Sequence, residues 1–565
     1  MTHRSSLTVA VLVPALFATT VVDRAAAQTD ADSLATLTDQ VFAHLDKLDS
    51  PGCTCAVMRH GEIVYSGAFG MANLELDVPL TPQSVFNVAS VSKQFTAASI
   101  ALLALRGQLS PDADIRAYVP EMPDLGDTIT IRHLIHHSSG IREGGQLRSL
   151  AGLRGPYVSN ARLLALLSLQ RTPNFQPGEE YRYSNTGYVV LAEIVKRVSG
   201  TSLREFAEEN IFGPLGMANT QVGDDYRTIV KHRVASYGQR EEGGLQRYLK
   251  TRDVVGPTSL LTTAEDLLRW NHNFNDMTVG GPDFIELILT RGFLNDGDTT
   301  YYAFGLGHRK YRGLKTIGHN GSSRGFRTTL LRFPEQRFSL AVLCNGSART
   351  NAGQLTFRVA DIYLRGVVEP ELSEDEARPV PEAVSVSTGE LQKVTGHYWD
   401  DESNFPVQIY VRDDALSFIR GLPGLENKLV PLGNDRFYML DTPNEVIVGF
   451  TSPTPGQPRQ MTVVVNDGEP LVFDAVELPS RAELEGYLGT YFSEELDYEQ
   501  VLRITNDSLS MWDPRTWDEF ALTPVARDVF QDGGFTFTFS RDGQGRVVGF
   551  TADRPSLRRL QFVRR

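Results

Sequence analysis

Three short segments carry side chains that could do chemistry together. In Ser90-Val91-Ser92-Lys93 a hydroxyl and an amine stand three residues apart. The run from Phe95 to Leu105 is apolar almost all round, which reads as a buried helix, and Gly107 is placed to end it. Ser90 and Lys93 then share one face of its first turn. Unpaired N–H groups and positive potential there favour a serine alkoxide, and the same potential, with burial, lowers the lysine pKa. A lysine brought toward neutrality can take the serine proton. By itself the spacing more often describes a capped core helix with a snorkelling lysine.

The second segment is Tyr183-Ser184-Asn185, after the turn Phe175-Gln-Pro-Gly-Glu-Glu-Tyr181-Arg182 and before a helix expected to begin near Thr186. A tyrosine beside a lysine can relay its proton to a leaving group. An asparagine amide can hold both the lysine and a substrate carbonyl. The blander alternatives are a half-buried aromatic for Tyr183 and a helix N-cap for Asn185. The third segment, Gly318-His319-Asn320-Gly321-Ser322-Ser323-Arg324-Gly325-Phe326, precedes a strand expected over Thr328 to Phe333. Its glycines would let a substrate backbone approach a strand edge.

In this order the three segments resemble the serine β-lactamase and penicillin-recognising hydrolase family, most closely its class C-like branch with D-aminopeptidases and carboxylesterases. Leu134-Ile-His-His137-Ser-Ser-Gly140-Ile and Gly256-Pro-Thr-Ser-Leu-Leu-Thr-Thr-Ala-Glu-Asp-Leu-Leu-Arg-Trp270 resemble further stretches of that family, and the likeness covers about residues 35–365. It implies an α/β (α+β) β-lactamase/transpeptidase-like catalytic domain. Ser90 would be acylated, and Lys93 and Tyr183 would share the acid/base work, with the first proton acceptor left open. Asn185 would position substrate and lysine, and the backbone N–H groups of Ser90 and Ser322 would form the oxyanion hole. His319 and Gly321 stand in a Lys-Thr-Gly-like position. A histidine there is mostly neutral at pH 7, which weakens the expected grip on a substrate carboxylate. D-aminopeptidases of the family resemble the chain here, with His-x-Gly.

The resemblance implies a serine hydrolase that cleaves an amide or ester through an acyl-enzyme, D-aminopeptidase-like or an esterase, on small-molecule or short-peptide substrates. A β-lactamase or DD-carboxypeptidase is the nearest alternative. A non-catalytic cell-wall peptide-binding protein is a rival of another class, although a binder has no need of both Lys93 and Tyr183. No cofactor and no metal are expected. His133, His136 and His137 have metal-like spacing but no accompanying carboxylate in a zinc motif.

Composition sets the frame around this chemistry. The 565 residues are 41% hydrophobic and 22% charged, which excludes a largely disordered or collagen-like chain. With a net charge of −14 and no basic stripe, no nucleic-acid partner is expected. Residues 1–27 read as a secretory signal. His3 and Arg4 precede an apolar stretch from Leu7 to Val22, and Ala25-Ala26-Ala27 offers cleavage before Gln28. The expectation is a periplasmic or secreted protein with no integral membrane segment after signal removal, its oligomeric state left open. Three cysteines, Cys53, Cys55 and Cys344, do not make a disulfide scaffold. A bridge between Cys53 and Cys55 would be strained, and pairing of one of them with Cys344 is not the expected outcome.

Residues 28–370 read as one unit. Strands at Cys53–Met58, Glu62–Ala68 and Phe338–Cys344, with helices between and a closing helix over Asn351–Leu364, suggest a sheet completed by both ends. Residues 371–387 read as an acidic, proline-bearing linker. Beyond it, Gly396, Tyr398, Leu416, Ser417 and Phe437 match Gly489, Tyr491, Leu509, Ser510 and Phe530 in a single register. Residues 388–480 and 481–565 are therefore read as two copies of a small antiparallel β-barrel-like domain, which would pack, cap the catalytic cleft or bind.

Overall fold

The computed structural model describes residues 32–153, 158–240, 242–249, 252–347, 350–370, 380–402, 404–421, 425–442, 444–452 and 456–565. The signal-like segment 1–27 and most of the expected linker lie outside them. Six strands build an antiparallel sheet: β1 (Cys53–Arg59), β2 (Glu62–Phe69), β3 (Gly307–Tyr311), β4 (Leu314–Ser323), β5 (Phe326–Phe333) and β6 (Phe338–Cys344), in the order β3-β4-β5-β6-β1-β2. The expected pairing of the first and last strands is thus met, β1 lying between β6 and β2.

β1 and β6 are buried on both faces, and their alternation sorts the core into two layers. Ala56, Met58, Ala341 and Leu343 face the helical body that contains the Lys93–Leu105 helix. Cys53, Cys55, Val57, Leu340 and Val342 face the terminal helices, among them Ala352–Tyr363. The register also sets Cys53 opposite Cys344, with Cα atoms 4.0 Å apart, and the two are disulfide-bonded. This corrects the expectation of unbridged cysteines. The partners are 291 residues apart, so only sheet pairing brings them together. Cys55 is free and buried, and burial pushes its thiol pKa up.

The two C-terminal copies are antiparallel β domains. The first is a closed eight-stranded barrel running from Gly396–Asp400 to Leu471–Val476, and the second a nine-stranded sheet spanning residues 489–564. Their equivalence extends to local bonds. Tyr398 Oη donates to Val394 O and Tyr491 Oη to Tyr487 O, each reaching four residues back. Gly396 and Gly489 both have positive φ, 151° and 142°. The copies are used differently. The second packs on the catalytic unit, with Leu484, Tyr487 and Leu560 in the same apolar cluster as Leu150 and Ala151. The first meets the second through Trp399, against Val525, Ala526 and Val529.

Candidate active site

Ser90 lies in a 3₁₀ turn, Ala89–Ser92, that runs directly into the helix Lys93–Leu105. The residue before it, Ala89, has φ of 49°, a conformation that costs a non-glycine residue about 1 kcal/mol or more and is held only where the surroundings impose it. Those surroundings are specific. Asn87 Oδ1 accepts the Ala89 N–H at 2.9 Å, and Val88 N–H donates to Leu260 O. The helix is buried from Lys93 to Leu103, so Lys93 has no water to solvate a charge.

Lys93 Nζ lies 3.2 Å from Ser90 Oγ, 2.8 Å from Asn185 Oδ1 and 3.0 Å from Pro257 O. Burial lowers its pKa from 10.5 to about 7, against an opposing pull from the Glu143 carboxylate. Pro257 belongs to the glycine-led segment noted in the sequence, which crosses the helix where Thr96 Oγ1 donates to Gly256 O. The Tyr183 ring centroid is 4.8 Å from Lys93 Nζ. Burial holds the phenol pKa well above its ordinary value, against a lowering by the neighbouring Ser90 hydroxyl.

Asn185 is the first residue of the helix Asn185–Ser199, and the N-cap is Ser184, whose hydroxyl accepts the Thr186 N–H. The capping alternative for Asn185 is thereby corrected. The neighbour caps, which leaves the Asn185 amide free to meet Lys93. Its other end is held by Glu143, which also accepts the Asn185 N–H at 2.8 Å and the Ser184 hydroxyl at 3.0 Å. A carboxylate at a helix N-terminus is stabilised by the same orphan N–H groups it satisfies. Sequence reading missed Glu143, because its partners lie 41–43 residues away and no local pattern marks it.

The third segment, expected to precede a strand, is itself strand up to Ser323, since β4 runs through His319–Ser323. β3 pairs only with Leu314–Gly318, and β4 beyond that point stands against the turn that holds Ser90. Gly321 is what allows the approach. A Cβ there would sit 2.2 Å from Val88 O and 2.3 Å from Thr328 Oγ1. Gly321→Ala should therefore push the strand off the Ser90 turn and lower kcat/KM by about 100-fold, a misplacement effect, with the fold retained by circular dichroism. An unchanged rate would show that the strand contributes nothing to the chemistry.

His319 is half-buried, with Nε2 2.9 Å from Tyr302 Oη and Nδ1 2.6 Å from Asn320 O. Burial and the Lys93 charge lower its pKa to about 3, so it is neutral at pH 7, as expected. Tyr302 is a second residue that the sequence did not single out. It is buried beside His137 and Tyr183, with ring centroids 4.6 and 6.2 Å away. His133, His136 and His137 serve structure. His133 Nδ1 accepts the Thr130 N–H, His136 Nδ1 meets Tyr302 O, and His137 Nδ1 accepts the Ser184 N–H. No group of metal-ligating side chains occurs among the described residues.

Ser90, Tyr183, Asn185, His319, Gly321 and Ser322 all line one cavity of about 1350 Å³, with Lys93 beneath its floor. The barrel domains contribute none of its described lining. They act from behind. Ser556 O, in the last turn of the second domain, accepts the Glu143 N–H at 2.9 Å.

The arrangement matches a known pattern. The beta-lactamase family model matches residues 38–364. The chain belongs to the beta-lactamase family. Over 303 residues it is 30% identical to a D-aminopeptidase of Gluconobacter oxydans, covering 53% of this chain and 56% of that protein. Over 412 residues it is 28% identical to penicillin-binding protein 4* of Bacillus subtilis, covering 68% and 87%. The chain thus spans little more than half the length of the D-aminopeptidase it matches. Among solved structures, the octameric penicillin-binding protein homologue from Pyrococcus abyssi aligns with a TM-score of 0.54 at 23% identity, over 78% of this chain and 99% of that one. D-amino acid amidase from Ochrobactrum anthropi SV3 aligns with a TM-score of 0.50 at 19% identity, over 59% and 98%. These structural likenesses concern the fold alone. In this beta-lactamase-family chain, the buried lysine and the glycine-bearing strand edge bring the site together.

Proposed function

We propose that the protein is a serine hydrolase that cleaves an amide or ester bond through an acyl-enzyme on Ser90, a D-aminopeptidase-like peptidase or an esterase acting on small substrates. The observation that carries this reading is a serine hydroxyl 3.2 Å from a fully buried lysine whose pKa is near 7. Near neutrality such a lysine spends an appreciable fraction of time unprotonated and able to accept.

The proton path follows from the two pKa directions. Neutral Lys93 takes the Ser90 Oγ proton as Oγ bonds to the substrate carbonyl carbon. The backbone N–H groups of Ser90 and Ser322 stabilise the oxyanion. Tyr183, a neutral phenol through the working range, gives its proton to the leaving nitrogen or oxygen as that bond breaks, and recovers one from the Lys93 ammonium. The net result of acylation is one proton moved from Ser90 to the leaving group, with Lys93 and Tyr183 returned to their starting states, and water then reverses the sequence to free Ser90. Tyr183→Phe should accordingly slow amide cleavage far more than cleavage of a p-nitrophenyl ester, whose leaving group needs no proton. Equal losses on both would remove Tyr183 from the donor role.

The direct experiment is intact-mass analysis after mixing the protein with a p-nitrophenyl acyl ester and quenching in acid, with nitrophenol release read in the same tube. An acyl adduct or Ser90-dependent release is expected, absent in Ser90→Ala. Neither in the native protein would favour the binding-protein reading. D-alanine p-nitroanilide, its L-enantiomer and a penicillin then sort the substrate class.

We also propose export. The signal-like segment motivates it, and the Cys53–Cys344 bridge suits an oxidising compartment. N-terminal sequencing of the protein recovered from a periplasmic or culture fraction should begin at Gln28. An intact Met1 start in the cytoplasm would overturn it.

A further inference from the structure

The charged groups around the cavity are lopsided. Its described lining includes Arg148, Arg233, Arg247, Arg324 and Arg327 but, among the described residues, a single carboxylate, Glu143, in a protein whose net charge is −14. Glu143 is committed to the start of the Asn185–Ser199 helix. Arg247 is ion-paired with Glu75, and Arg148 donates to Leu153 O. The other three guanidiniums have no carboxylate partner among the described residues. Arg327 donates to the carbonyls of Arg324 and Phe326. Arg324 stands 5.8 Å from the Tyr248 ring centroid. Arg233 is half-buried.

Two contacts gather these three residues. Gly325, in the turn between β4 and β5, donates its N–H to Ser236 Oγ at 3.1 Å, and a Cβ on it would lie 2.2 Å from Tyr237 O. The turn that carries Arg324 and leads into Arg327 on β5 is therefore seated on the segment following Arg233. That segment is pinned where Val85 N–H donates to His232 O and Val234 N–H to Val85 O. Arg327 is also the cross-strand partner of Ser322. Side chains directly opposite in this way share a face, with Cβ atoms about 5 Å apart. The positive charge thus borders the strand edge where the reacting carbonyl is expected.

Resting on the acyl-enzyme reading above, we infer that this cavity selects substrates carrying an anionic oxygen group, a carboxylate or a phosphate, held by Arg233, Arg324 and Arg327 beside the reacting carbonyl. A guanidinium presents a planar fork of donors that fits such a group with two bonds. The strand-edge residue His319 is neutral and supplies no such charge, so recognition of the anion falls to the arginines.

The test uses the full chain and three ester comparisons at low salt. On the acyl side, mono-p-nitrophenyl glutarate is compared with p-nitrophenyl butyrate. On the leaving side, 3-carboxyphenyl acetate and 3-phosphonooxyphenyl acetate are each compared with phenyl acetate. At least one anionic ester should show a kcat/KM higher than its neutral counterpart by roughly tenfold or more, the scale of one hydrogen bond to a charged group. The side and the anion preferred identify its source. The ratio should shrink in 0.5 M sodium chloride and in Arg233→Gln and Arg324→Gln/Arg327→Gln. Glutarate or inorganic phosphate should inhibit neutral-ester hydrolysis competitively in the native protein, which keeps the test independent of how the variants fold. Ratios within twofold of unity in every pair, or a preference that survives all these changes, overturn the inference. Absence of Ser90-dependent release from the neutral esters is a separate result that overturns the acyl-enzyme reading instead.

Discussion

Replacing Lys93 by methionine is expected to lower the acylation rate on the order of 10³-fold and to abolish its rise with pH near 7. Only the unprotonated amine can take the Ser90 proton, and its fraction grows as pH rises through a pKa of about 7. The native rate should therefore fall away below pH 7 and level above it. In Lys93→Met the residual rate should show no such limb. Single-turnover nitrophenol release between pH 5 and 9 reads both. A limb near pH 7 that persists in the variant would assign the titrating group elsewhere.

The same residue leaves a mark on stability, with a sign that can be worked out. In the unfolded chain the lysine binds its proton up to about 10.5, and in the folded protein only to about 7. Between those values the unfolded state holds more protons, so stability rises with pH across that window. Below pH 7 the proton is bound in both states, and the cost of burying the ammonium is carried in full. Lys93→Met should melt higher than the native protein at pH 6, with the gap narrowing toward pH 10. Parallel melting curves at the two pH values would contradict the burial.

Arg142→Met should cost about 3 kcal/mol of stability and a large part of the activity, although Arg142 does not line the cavity. The Arg142 side chain has 0% exposure and pairs with Glu495 of the second β domain, itself 11% exposed. Its guanidinium also donates to Gln170 Oε1 at 3.0 Å, Thr172 Oγ1 at 2.8 Å and Arg558 O at 2.9 Å. Removing one partner strands Glu495 in a largely dehydrated interface, the costly way to break an ion pair. The next residue is Glu143, whose N–H is held by Ser556 O and whose carboxylate orders Asn185. Loosening the domain junction therefore reaches Lys93 through two hydrogen-bonded residues. Urea midpoints and acylation rates, measured with Arg142→Met/Glu495→Leu alongside, separate the effects. The double variant should recover stability, because it removes the stranded carboxylate. A single variant within 1 kcal/mol of the native protein would mean that the junction is not a structural support of the site.

The segments carrying Ser90, Lys93, Tyr183 and Asn185 were legible because each is local. A serine and a lysine one helical turn apart, an aromatic and an amide at a helix start, and a glycine in a strand edge are patterns a few residues long. The second barrel showed itself in the same way, since a repeated register survives in sequence. Glu143 and Tyr302 were not legible. Glu143 acts on residues 41–43 positions on, and Tyr302 on His319, 17 positions on, and neither sits in a pattern of its own. The choice of cap was left open in the sequence for a related reason. Ser184 and Asn185 are both good N-caps, and which one caps depends on where Lys93 draws the amide.

What the sequence by itself determined was the kinds of group present and their local spacing, because helix and strand periodicity act over a few residues. It therefore announced a serine and a lysine one helical turn apart, a tyrosine and an amide at a helix start, a glycine-eased strand edge and a repeated β domain. Tertiary structure alone decided the rest. Sheet register brought Cys53 to Cys344 across 291 residues. Packing buried Lys93 and so moved its pKa to near neutrality. Docking of the second β domain anchored Arg142 and the Glu143 N–H, and the seating of the turn between β4 and β5 on the segment after Arg233 gathered three arginines along the cavity. In each of these, pairing or burial is set by contacts between distant parts of the chain, and no local pattern encodes them.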